Sequence, residues 1–301
     1  MTLDEMNAFM ALVQLQSTRE TAELLGLTQP AITRRVQSLE ASLGVVLLDR
    51  QTKPLKPTAM GRRVYRQCER ISNELALLRQ LVEQDAPPSG VLRLGLPQSI
   101  TDIGVAPALM SLTHRYPHIE PRLSSNWGVN LLQGIQKGIV DAALLLYPAG
   151  NIFPEGLQSK DLGAVPLVVA TAAGGGPLPT TLAACHQQGW VLNPTGCGFR
   201  GGLERALKDR GLPMRINMEV TGNDLQLALI ADGGGLGLVP RYLLENSVYA
   251  GRLRILPLQD FQPDNRLWLV HPVLPRPLAE AAASFGSTVA ARLGLTAPLA
   301  H

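Results

Sequence analysis

Residues 28–44 have the sequence TQPAITRRVQSLEASLG, which contains the signals for both the start and the end of a short helix. Thr28 can cap the first turn, because its hydroxyl oxygen accepts a backbone N–H that has no partner within the helix. Pro30 suits the first turn, where a missing N–H costs nothing, and Gly44 suits the left-handed residue that ends many helices. One buried stripe is predicted by apolar residues that recur at helical spacing, which are Ile32, Val36, Leu39 and Leu43.

The opposite face of the predicted helix is polar and positively charged. Its side chains offer hydrogen bonds and include no acid, and they are Gln29, Thr33, Arg34 and Gln37, with Arg35 beside them. Arginine and glutamine on a small helix suit the major groove of DNA, where they bind base edges and phosphates. An ordinary surface helix with two arginines is the alternative, and this helix alone leaves the two interpretations about even.

Two shorter segments before this helix favour the DNA-binding interpretation. A first amphipathic helix is predicted by the apolar residues Leu3, Met6, Phe9, Met10 and Val13. Ser17 and Glu20 are spaced as in a capping box and predict the start of a second short helix. Gly26 and Leu27 form the turn into the next helix. The two short helices therefore make a helix-turn-helix, whose second helix enters the DNA groove.

After this helix, a strand over residues 45–48 and a turn over 49–54 predict a wing. Three basic residues are expected to lie along the DNA backbone: Arg50, Lys53 and Lys56. Between Thr28 and Arg70, nine basic residues outnumber three acidic ones, a local net charge of +6, whereas the whole chain carries +3. Positive charge concentrated in one segment is the electrostatic footprint of a nucleic-acid site.

An ordered pattern runs through this part of the chain: Ala22-x-x-Leu25, Thr28-Gln29-Pro30-Ala31-Ile32-Thr33-Arg34, Leu39-Glu40-x-x-Leu43-Gly44-Val45-x-Leu47-x-x-Arg50, and Pro57-Thr58-x-x-Gly61. With it, the segment from about residue 1 to 86 resembles the DNA-binding part of the LysR-type transcriptional regulators. The chain departs from the family in having Leu15-Gln16-Ser17-Thr18 where Gly-Ser-Phe is usual, and Leu48 where Phe is usual in the wing. The residues expected to contact double-stranded DNA are Thr28, Gln29, Pro30, Thr33, Arg34, Arg35, Arg50, Lys53 and Lys56.

The next segment predicts a long helix that Thr58 caps and that runs to about Asp85. Its apolar residues alternate steps of four and three, as in an a/d heptad seam, and they are Val64, Cys68, Ile71, Leu75, Leu78 and Val82. Few compact domains need a helix of about 28 residues, or about 42 Å, so we expect two copies to pair along it. The alternative is a single helix that packs on its own domain. In the resembled family this segment is the dimerising linker, and two heads per dimer imply a two-fold DNA site.

Residues 85–90, DAPPSG, end this helix and predict a hinge. Beyond it, apolar runs alternate with helical patterns, which predicts α/β architecture. The predicted elements include a helix over Ile103–Tyr116 and a strand over Val165–Ala170. The resemblance implies a two-lobed effector domain like a periplasmic binding protein. We therefore expect a winged helix-turn-helix at residues 1–60, a linker helix and hinge at 61–90, and an effector domain at 91–301, with lobe I at 91–163 and 267–301 and lobe II at 164–266.

A ligand in such a fold sits beyond the carboxyl ends of the strands, where helix N-termini offer free N–H groups to an anion. Three strand-to-helix junctions fit this description, at residues 97–101, 193–199 and 221–224. We expect a small-molecule effector that carries a carboxylate to bind there, although serine, threonine and asparagine at such junctions are usually plain helix caps. The candidate effector-binding residues are Ser99, Ile100, Thr101, Trp127, Tyr147, Thr195, Cys197, Phe199 and Asn223.

Other kinds of site find no support in the sequence. His114 and His118 are four residues apart, but Pro117 interrupts the helix between them, so we expect no metal site. No cofactor-binding motif is recognised, and no cofactor is expected. No run is long enough to span a bilayer and no signal peptide is recognised, which predicts a cytoplasmic protein that does not enter a membrane. The odd number of cysteines favours reduced thiols.

Two classes of function compete. The basic helix-turn-helix, the wing and the heptad linker favour a DNA-binding transcriptional regulator, activator or repressor, that forms a homodimer or homotetramer and responds to a small-molecule effector. One alternative is a redox-sensing regulator that acts through Cys197, because a nearby helix N-terminus lowers a thiol pKa. The other is an α/β ligand-binding protein or enzyme that does not bind DNA. We expect no catalytic residues.

Overall fold

A computed structural model describes residues 1–49, 52, 54–82, 89–102, 105–174, 176–263 and 265–295. Of residues 73, 76, 77 and 79–82 it describes only the helical backbone. The chain divides into two compact units, Met1–Ala86 and Pro87–His301. In the described part of the chain, no helix is both long and apolar enough to cross a membrane.

The first unit contains four helices and a small two-stranded wing within its described residues: α1 (Leu3–Leu15), α2 (Thr18–Leu25), α3 (Gln29–Leu43), β1 (Leu48–Asp49), β2 (Lys56–Pro57) and α4 (Ala59–Val82). The predicted limits of α3 are confirmed, because the Thr28 hydroxyl accepts the Ala31 N–H and Gly44 has a φ of 66°. Only half of the capping box predicted for α2 forms, with Ser17 accepting the Glu20 N–H. The complete box lies at Thr2 and Glu5, where the sequence analysis did not place one.

The wing is shorter than the sequence predicted. The strand expected over residues 45–48 is reduced to β1, in which Leu48 lies opposite Pro57 and Asp49 opposite Lys56. The reason is that a side chain of α3 binds the backbone just before and at the start of β1. The Glu40 carboxylate accepts the Leu47 and Leu48 N–H groups at 2.7 and 3.2 Å. A backbone bound in this way is fixed to α3 and has no need of a sheet partner.

The first half of α4 packs on the core of its own unit. Gly61 allows this approach, because a Cβ there would lie 2.0 Å from the Leu47 carbonyl oxygen. Cys68 is buried in the same core as Phe9, Ile32 and Leu39, and Val64 and Ile71 pack against it. This corrects the predicted seam, since a thiol that one chain already buries cannot line a contact between two chains. Leu75 and Leu78 are the seam residues that remain with described side chains.

The second unit alternates strands and helices, as predicted. Its elements are β3 (Ser89–Leu96), α5 (Gln98–Thr101), α6 (Ala106–Arg115), β4 (His118–Ser125), α7 (Gly128–Gln136), β5 (Ala142–Pro148), β6 (Leu157–Ala164), β7 (Leu167–Ala172), α8 (Leu182–Cys185), β8 (Trp190–Leu192), α9 (Arg200–Asp209), β9 (Ile216–Glu219), α10 (Asn223–Ala231), β10 (Gly237–Pro240), α11 (Arg241–Glu245), β11 (Leu253–Ile255), β12 (Asn265–Pro272) and α12 (Arg276–Arg292).

Two sheets with the same strand pattern form two lobes. The first has the order β4-β3-β5-β12-β6, with β3 parallel to β4 and β5, and β12 antiparallel to β5 and β6. In the second lobe β8 is parallel to β9, β7 is antiparallel to β10 and β11, and a parallel bridge between Trp190 and Leu236 joins the two groups. The second order is therefore β9-β8-β10-β7-β11. The chain leaves the first sheet after Ala164 and returns at Asn265.

Several predicted elements of this unit need correction. The helix expected over Ile103–Tyr116 begins at Ala106, because Pro107 takes the first turn, and Gln98–Thr101 forms a separate short helix. The predicted strand over Val165–Ala170 is β7, shifted to Leu167–Ala172. Ser89 and Gly90 belong to β3 and not to the hinge, of which residues 85–88 lie outside the described part of the chain. Strand β6 was missed because its polar residues are mostly exposed, so it shows no apolar run.

Candidate DNA interface and effector cleft

Helices α2 and α3 of the first unit share one concave, exposed surface. It is lined by Thr18, Gln29, Pro30, Thr33, Arg34 and Gln37, and we call it the α3 surface. Four of these residues were expected to contact DNA. Gln37 was noted on the polar face without being chosen, and Thr18 was missed because it lies in α2. Both helices begin at this surface, so the turn at Gly26 brings Thr18 beside Gln29.

Arg34 and Arg35 have different surroundings. Arg34 is exposed on the α3 surface and has no hydrogen bond or ion pair to another described residue. Arg35 instead forms an ion pair with Asp4 of α1, with Nη2 3.1 Å from Oδ2. Consecutive residues of a helix point about 100° apart, which explains the separation. We therefore expect Arg35 to contribute less to DNA binding than Arg34.

The remaining predicted DNA contacts are placed in different ways. Thr28 caps α3 through its hydroxyl, and Lys56 is exposed on β2. Arg50 and Lys53 lie outside the described residues. Helix α3 is also held against α1 by the Ser38 hydroxyl, which donates to Glu5 at 2.6 Å and lowers the pKa of that carboxyl. These contacts fix α3 from behind and leave the α3 surface open.

A small cavity, which we call the cleft, lies between the two lobes of the second unit. It is lined by Pro97, Gln98, Ser99, Trp127, Gly128, Leu146, Asn193, Cys197, Gly198, Phe199 and Asn223. The structure thus brings five of the predicted effector residues together, which are Ser99, Trp127, Cys197, Phe199 and Asn223. Leu146, Asn193 and Gly128 were not among the candidates, since apolar strand residues and a glycine carry no signal of a binding site.

Four predicted effector residues do not line the cleft. Ile100 is fully buried in the core, and the Thr101 hydroxyl donates to the Gln98 carbonyl oxygen at 2.8 Å. Tyr147 packs edge-on against Phe153, and Thr195 lies outside the lining. The error has one cause: in a short turn, neighbouring residues point in different directions, and sequence position does not reveal which one faces a cavity.

The cleft is nearly closed. The space within it is about 20 Å³, enough for about one water molecule. Gly198 lies so close to the opposite lobe that a Cβ there would come within 2.1 Å of the Leu146 carbonyl oxygen. Two hydrogen bonds cross between the lobes: Asn223 Nδ2 donates to Asp102 Oδ2 at 2.8 Å, and the Tyr242 hydroxyl donates to the Ser99 carbonyl oxygen at 3.3 Å. An organic ligand therefore requires the lobes to part.

Three helices begin at the cleft. Helices α7, α9 and α10 start next to the lining residues Trp127, Phe199 and Asn223, and none of the three has a side-chain cap. The first-turn N–H groups of α7 and α10 therefore remain available to an anion, favoured by the helix dipole. In α9 the Arg200 and Gly202 N–H groups already donate to the Cys197 and Phe199 carbonyl oxygens, at 3.3 and 3.2 Å. The described lining contains no charged side chain. The nearby Arg200 is committed to Glu204 and Glu219, at 2.8 and 2.5 Å.

The cysteines lie in environments that disfavour the thiolate. Burial raises the pKa of Cys197, and the N–H groups of Phe199 and Arg200, the Arg200 charge and a hydrogen bond with the Asn193 side chain offset this only in part. Burial also raises the pKa of Cys68, and burial together with the Asp260 carboxylate raises the pKa of Cys185 to about 11. A redox-sensing cysteine needs a lowered pKa and exposure. The expected effect of a helix N-terminus on Cys197 is thus outweighed by burial.

Comparison with known families decides the identity of both units. Residues 3–62 match the bacterial regulatory helix-turn-helix proteins of the lysR family, and residues 85–293 match the LysR substrate binding domain. The chain belongs to the LysR family. Similar curated proteins include the RuBisCO operon transcriptional regulator of Allochromatium vinosum, 28% identical over 286 residues and covering 94% of each chain. The regulator CrgA of Neisseria meningitidis is 29% identical over 259 residues, or 83% of each chain.

Solved structures of whole regulators share the fold of this LysR-type protein. A full-length OxyR variant from Pseudomonas aeruginosa matches with a TM-score of 0.69 at 19% identity, covering 96% of this chain and 94% of that one. CbnR in complex with its target DNA matches with a TM-score of 0.62 at 20% identity, covering 96% of this chain and all of that one. The chain is thus a DNA-binding transcriptional regulator with a winged helix-turn-helix and a two-lobed α/β effector domain.

Proposed function

We propose that this regulator senses a small carboxylate bound in the cleft, and that binding changes how the α3 surface engages operator DNA. The observation that carries the proposal is the convergence of five predicted residues on one cavity, although they come from four separate stretches of sequence. Single serines or asparagines at helix starts are usually caps. A group of them around one space, with no side-chain caps at the neighbouring helices, is better explained as a ligand site.

The chemistry of the cleft suits an anion that is bound without a basic side chain. The free N–H groups at the starts of α7 and α10 supply hydrogen bonds, and the dipoles of α7, α9 and α10 supply partial positive charge. The Ser99 and Asn223 side chains stand beside them. Trp127 and Phe199 offer apolar surface to the remainder of a ligand. A small molecule with one carboxylate and a compact apolar body matches these features.

The lobes provide the response. A ligand that enters the cleft must disturb the bonds from Asn223 to Asp102 and from Tyr242 to Ser99, which join the lobes. A ligand shifts such an equilibrium only by its differential affinity for the two states, about 1–3 kcal/mol in typical allosteric proteins. The change in lobe orientation would pass through the segment after α4 and through α4 itself to the spacing of two DNA-binding heads.

The assembly and location follow from the same proposal. Two chains pair along the second half of α4, where Leu78 is 59% exposed in the single chain. The dimer binds a two-fold symmetric operator through its two α3 surfaces. Lys56 and the other basic residues of the wing contact the phosphate groups of the DNA backbone. The protein acts without catalysis, in the cytoplasm where bacterial DNA lies. Its domains run over 1–60, 61–90 and 91–301, with the lobes of the last dividing at 163/164 and 266/267.

A ligand screen with a matched pair of variants tests the proposal. Thermal shift of the full-length protein is measured against a panel of small mono- and dicarboxylates, and any acid that raises the melting temperature is followed by calorimetry. Ser99→Ala should weaken its binding, whereas Ser111→Ala should not, because Ser111 is exposed on α6 away from the lining. Equal binding by both variants would place the ligand elsewhere. The redox alternative through Cys197 has less support, because burial keeps that thiol protonated.

A further inference from the structure

One wall of the cleft carries a buried hydrogen-bond acceptor that the protein does not satisfy. Asn193, at the end of β8, lines the cleft and is 5% exposed. Its Oδ1 atom has no hydrogen-bond partner among the described residues. Leaving a buried acceptor unpaired is costly, so buried polar atoms are nearly always paired in native proteins. Trp190 Nε1 and Asn265 Nδ2 are also buried without a partner among the described residues, but only Asn193 Oδ1 belongs to a residue that lines the cleft, where a ligand can supply the missing donor.

The orientation of the Asn193 amide is fixed by a chain of hydrogen bonds that starts at the backbone. The Val191 carbonyl oxygen can only accept, and it takes the Gln226 Nε2 donor at 2.9 Å. Gln226 Oε1 must therefore face Asn193, and it accepts from Asn193 Nδ2 at 3.1 Å. Turning either amide would bring two oxygen acceptors together. Since Gln226 is 1% exposed, no bulk solvent compensates for such a turn.

The backbone of β8 thus determines that Asn193 presents an acceptor and not a donor. A carboxylate cannot bind this atom, because both groups only accept. The ligand must bring a donor to it, in addition to the carboxylate held by the helix N-termini. A site built to bond a hydroxyl discriminates strongly against an analogue that lacks it, since the buried acceptor is then left unpaired.

We propose that the effector is a small hydroxy acid whose hydroxyl donates to Asn193 Oδ1 while its carboxylate lies at the helix starts. This inference rests on the proposed function of the cleft and names the chemical class that the cleft selects. A neutral hydroxyl fits better than an ammonium group. In the described residues no acidic side chain lines the cleft, and the Asp102 carboxylate, whose bond from Asn223 a ligand must disturb, is not among the lining residues. A buried ammonium would lack a counter-charge there.

Matched acids test the inference on the unaltered full-length protein. Calorimetry compares propanoate, 2-hydroxypropanoate and 2-aminopropanoate, and in parallel benzoate, the three hydroxybenzoates and the three aminobenzoates. A hydroxylated member should bind about tenfold or more tightly than its plain acid and than its amino analogue. Equal affinity for the plain and hydroxylated acids overturns the inference, as does tighter binding of the amino analogue.

A variant pair assigns the preference to one atom. Asn193→Leu keeps a similar side-chain volume but removes the acceptor, together with the Nδ2 donor to Gln226, so it should lose the tenfold preference and still bind the plain acid. Asn217→Leu is the matched control, because the Asn217 amide donates to the Gln188 and Gly234 carbonyl oxygens of the same lobe, away from the cleft. A preference that survives in Asn193→Leu overturns the assignment. If Asn193→Leu does not fold, as judged by circular dichroism, the matched acids decide alone.

The outcomes separate this inference from the proposed function. If plain and hydroxylated acids bind equally and Ser99→Ala weakens both, the cleft remains the effector site and only the hydroxy-acid inference falls. If no acid of either series binds, or if binding is unchanged in Ser99→Ala, the carboxylate site itself is wrong and the inference falls with it. If the hydroxylated acid binds more tightly in wild type but not in Asn193→Leu, both stand.

Discussion

We propose the α3 surface and the cleft as the two binding surfaces of this protein, and the chain builds them in opposite ways. The α3 surface comes from one stretch, residues 18–37, and it is exposed, polar and positively charged. The cleft comes from five stretches spread between Pro97 and Asn223, and its described lining carries no charged side chain. The first is suited to a large polyanion met in solution. The second is suited to a small molecule that loses its hydration shell when it binds.

This difference has a physical consequence for each partner. Contacts of exposed arginine with phosphate act through solvent and are weakened by salt, because released counterions supply much of the affinity. Contacts in the cleft act in a nearly closed space where an unpaired polar atom is costly. DNA binding should therefore depend strongly on ionic strength, and effector binding should depend on hydrogen-bond complementarity.

The largest effect is expected at the seam of α4. Pairing of two chains along this seam would place two α3 surfaces on one operator, whereas each chain would bind effector in its own cleft. Leu75→Glu buries a carboxylate between paired helices without a partner, at a cost on the order of several kcal/mol. Sedimentation should show fewer dimers, and operator affinity should fall, while effector binding per chain is retained. Glu74→Gln is the control, since Glu74 is exposed on the neighbouring position. An unchanged mass would mean that α4 packs only within its own chain.

The next effect concerns the cleft alone. Gly198→Ala places a methyl group 2.1 Å from the Leu146 carbonyl oxygen, so the lobes must shift apart or the strand must move. Overpacking of this kind costs about 1–3 kcal/mol. Calorimetric unfolding should show a lower melting temperature for the effector domain. Gly201→Ala, on the first turn of α9 with open space around it, should be neutral or slightly stabilising. Equal melting temperatures of the two variants would refute the close contact of the lobes.

A smaller effect distinguishes two adjacent arginines of α3. Arg34→Ala should lower affinity for the DNA flanking its own gene by about 1–3 kcal/mol and relax specificity, because a base contact is lost. Arg35→Ala should remove only an exposed ion pair with Asp4, worth about 0–1 kcal/mol of stability. Fluorescence anisotropy with specific and random DNA measures both. A loss of affinity in Arg35→Ala as large as in Arg34→Ala would show that both side chains face DNA.

The smallest effect concerns the chemical reactivity of the Cys197 thiol, which lines the cleft. Because burial raises the pKa of Cys197 above its ordinary value near 9, the thiol is protonated at neutral pH. Its alkylation by iodoacetamide, followed by mass spectrometry, should be slow at pH 7 and rise with pH beyond 9 without levelling. Unfolding in urea should bring the rate to that of an ordinary cysteine. Rapid alkylation at pH 7 would indicate a thiolate and return the redox alternative to first place.

Local features were predictable from the sequence because the groups involved are neighbours along the chain. The limits of α3 follow from Thr28, Pro30 and Gly44, whose effects act within one turn. The late start of β1, at Leu48, was not predictable, because the Glu40 carboxylate that binds the Leu47 and Leu48 N–H groups lies seven and eight residues away along the chain. The heptad pattern of α4 could not reveal that the first half of this helix, with Cys68, belongs to the core of the same chain.

The sequence by itself determined that this chain carries a basic helix-turn-helix followed by an α/β domain, because helix caps, apolar spacing and charge density act over a few residues. It also pointed to the strand-to-helix junctions at which a ligand would bind. Only the tertiary structure decided which residues of those junctions share a cavity and which of two adjacent arginines stays free of α1. It alone fixed the direction of the Asn193 amide, since that direction depends on Gln226 and Val191, which are joined to it by hydrogen bonds across the fold.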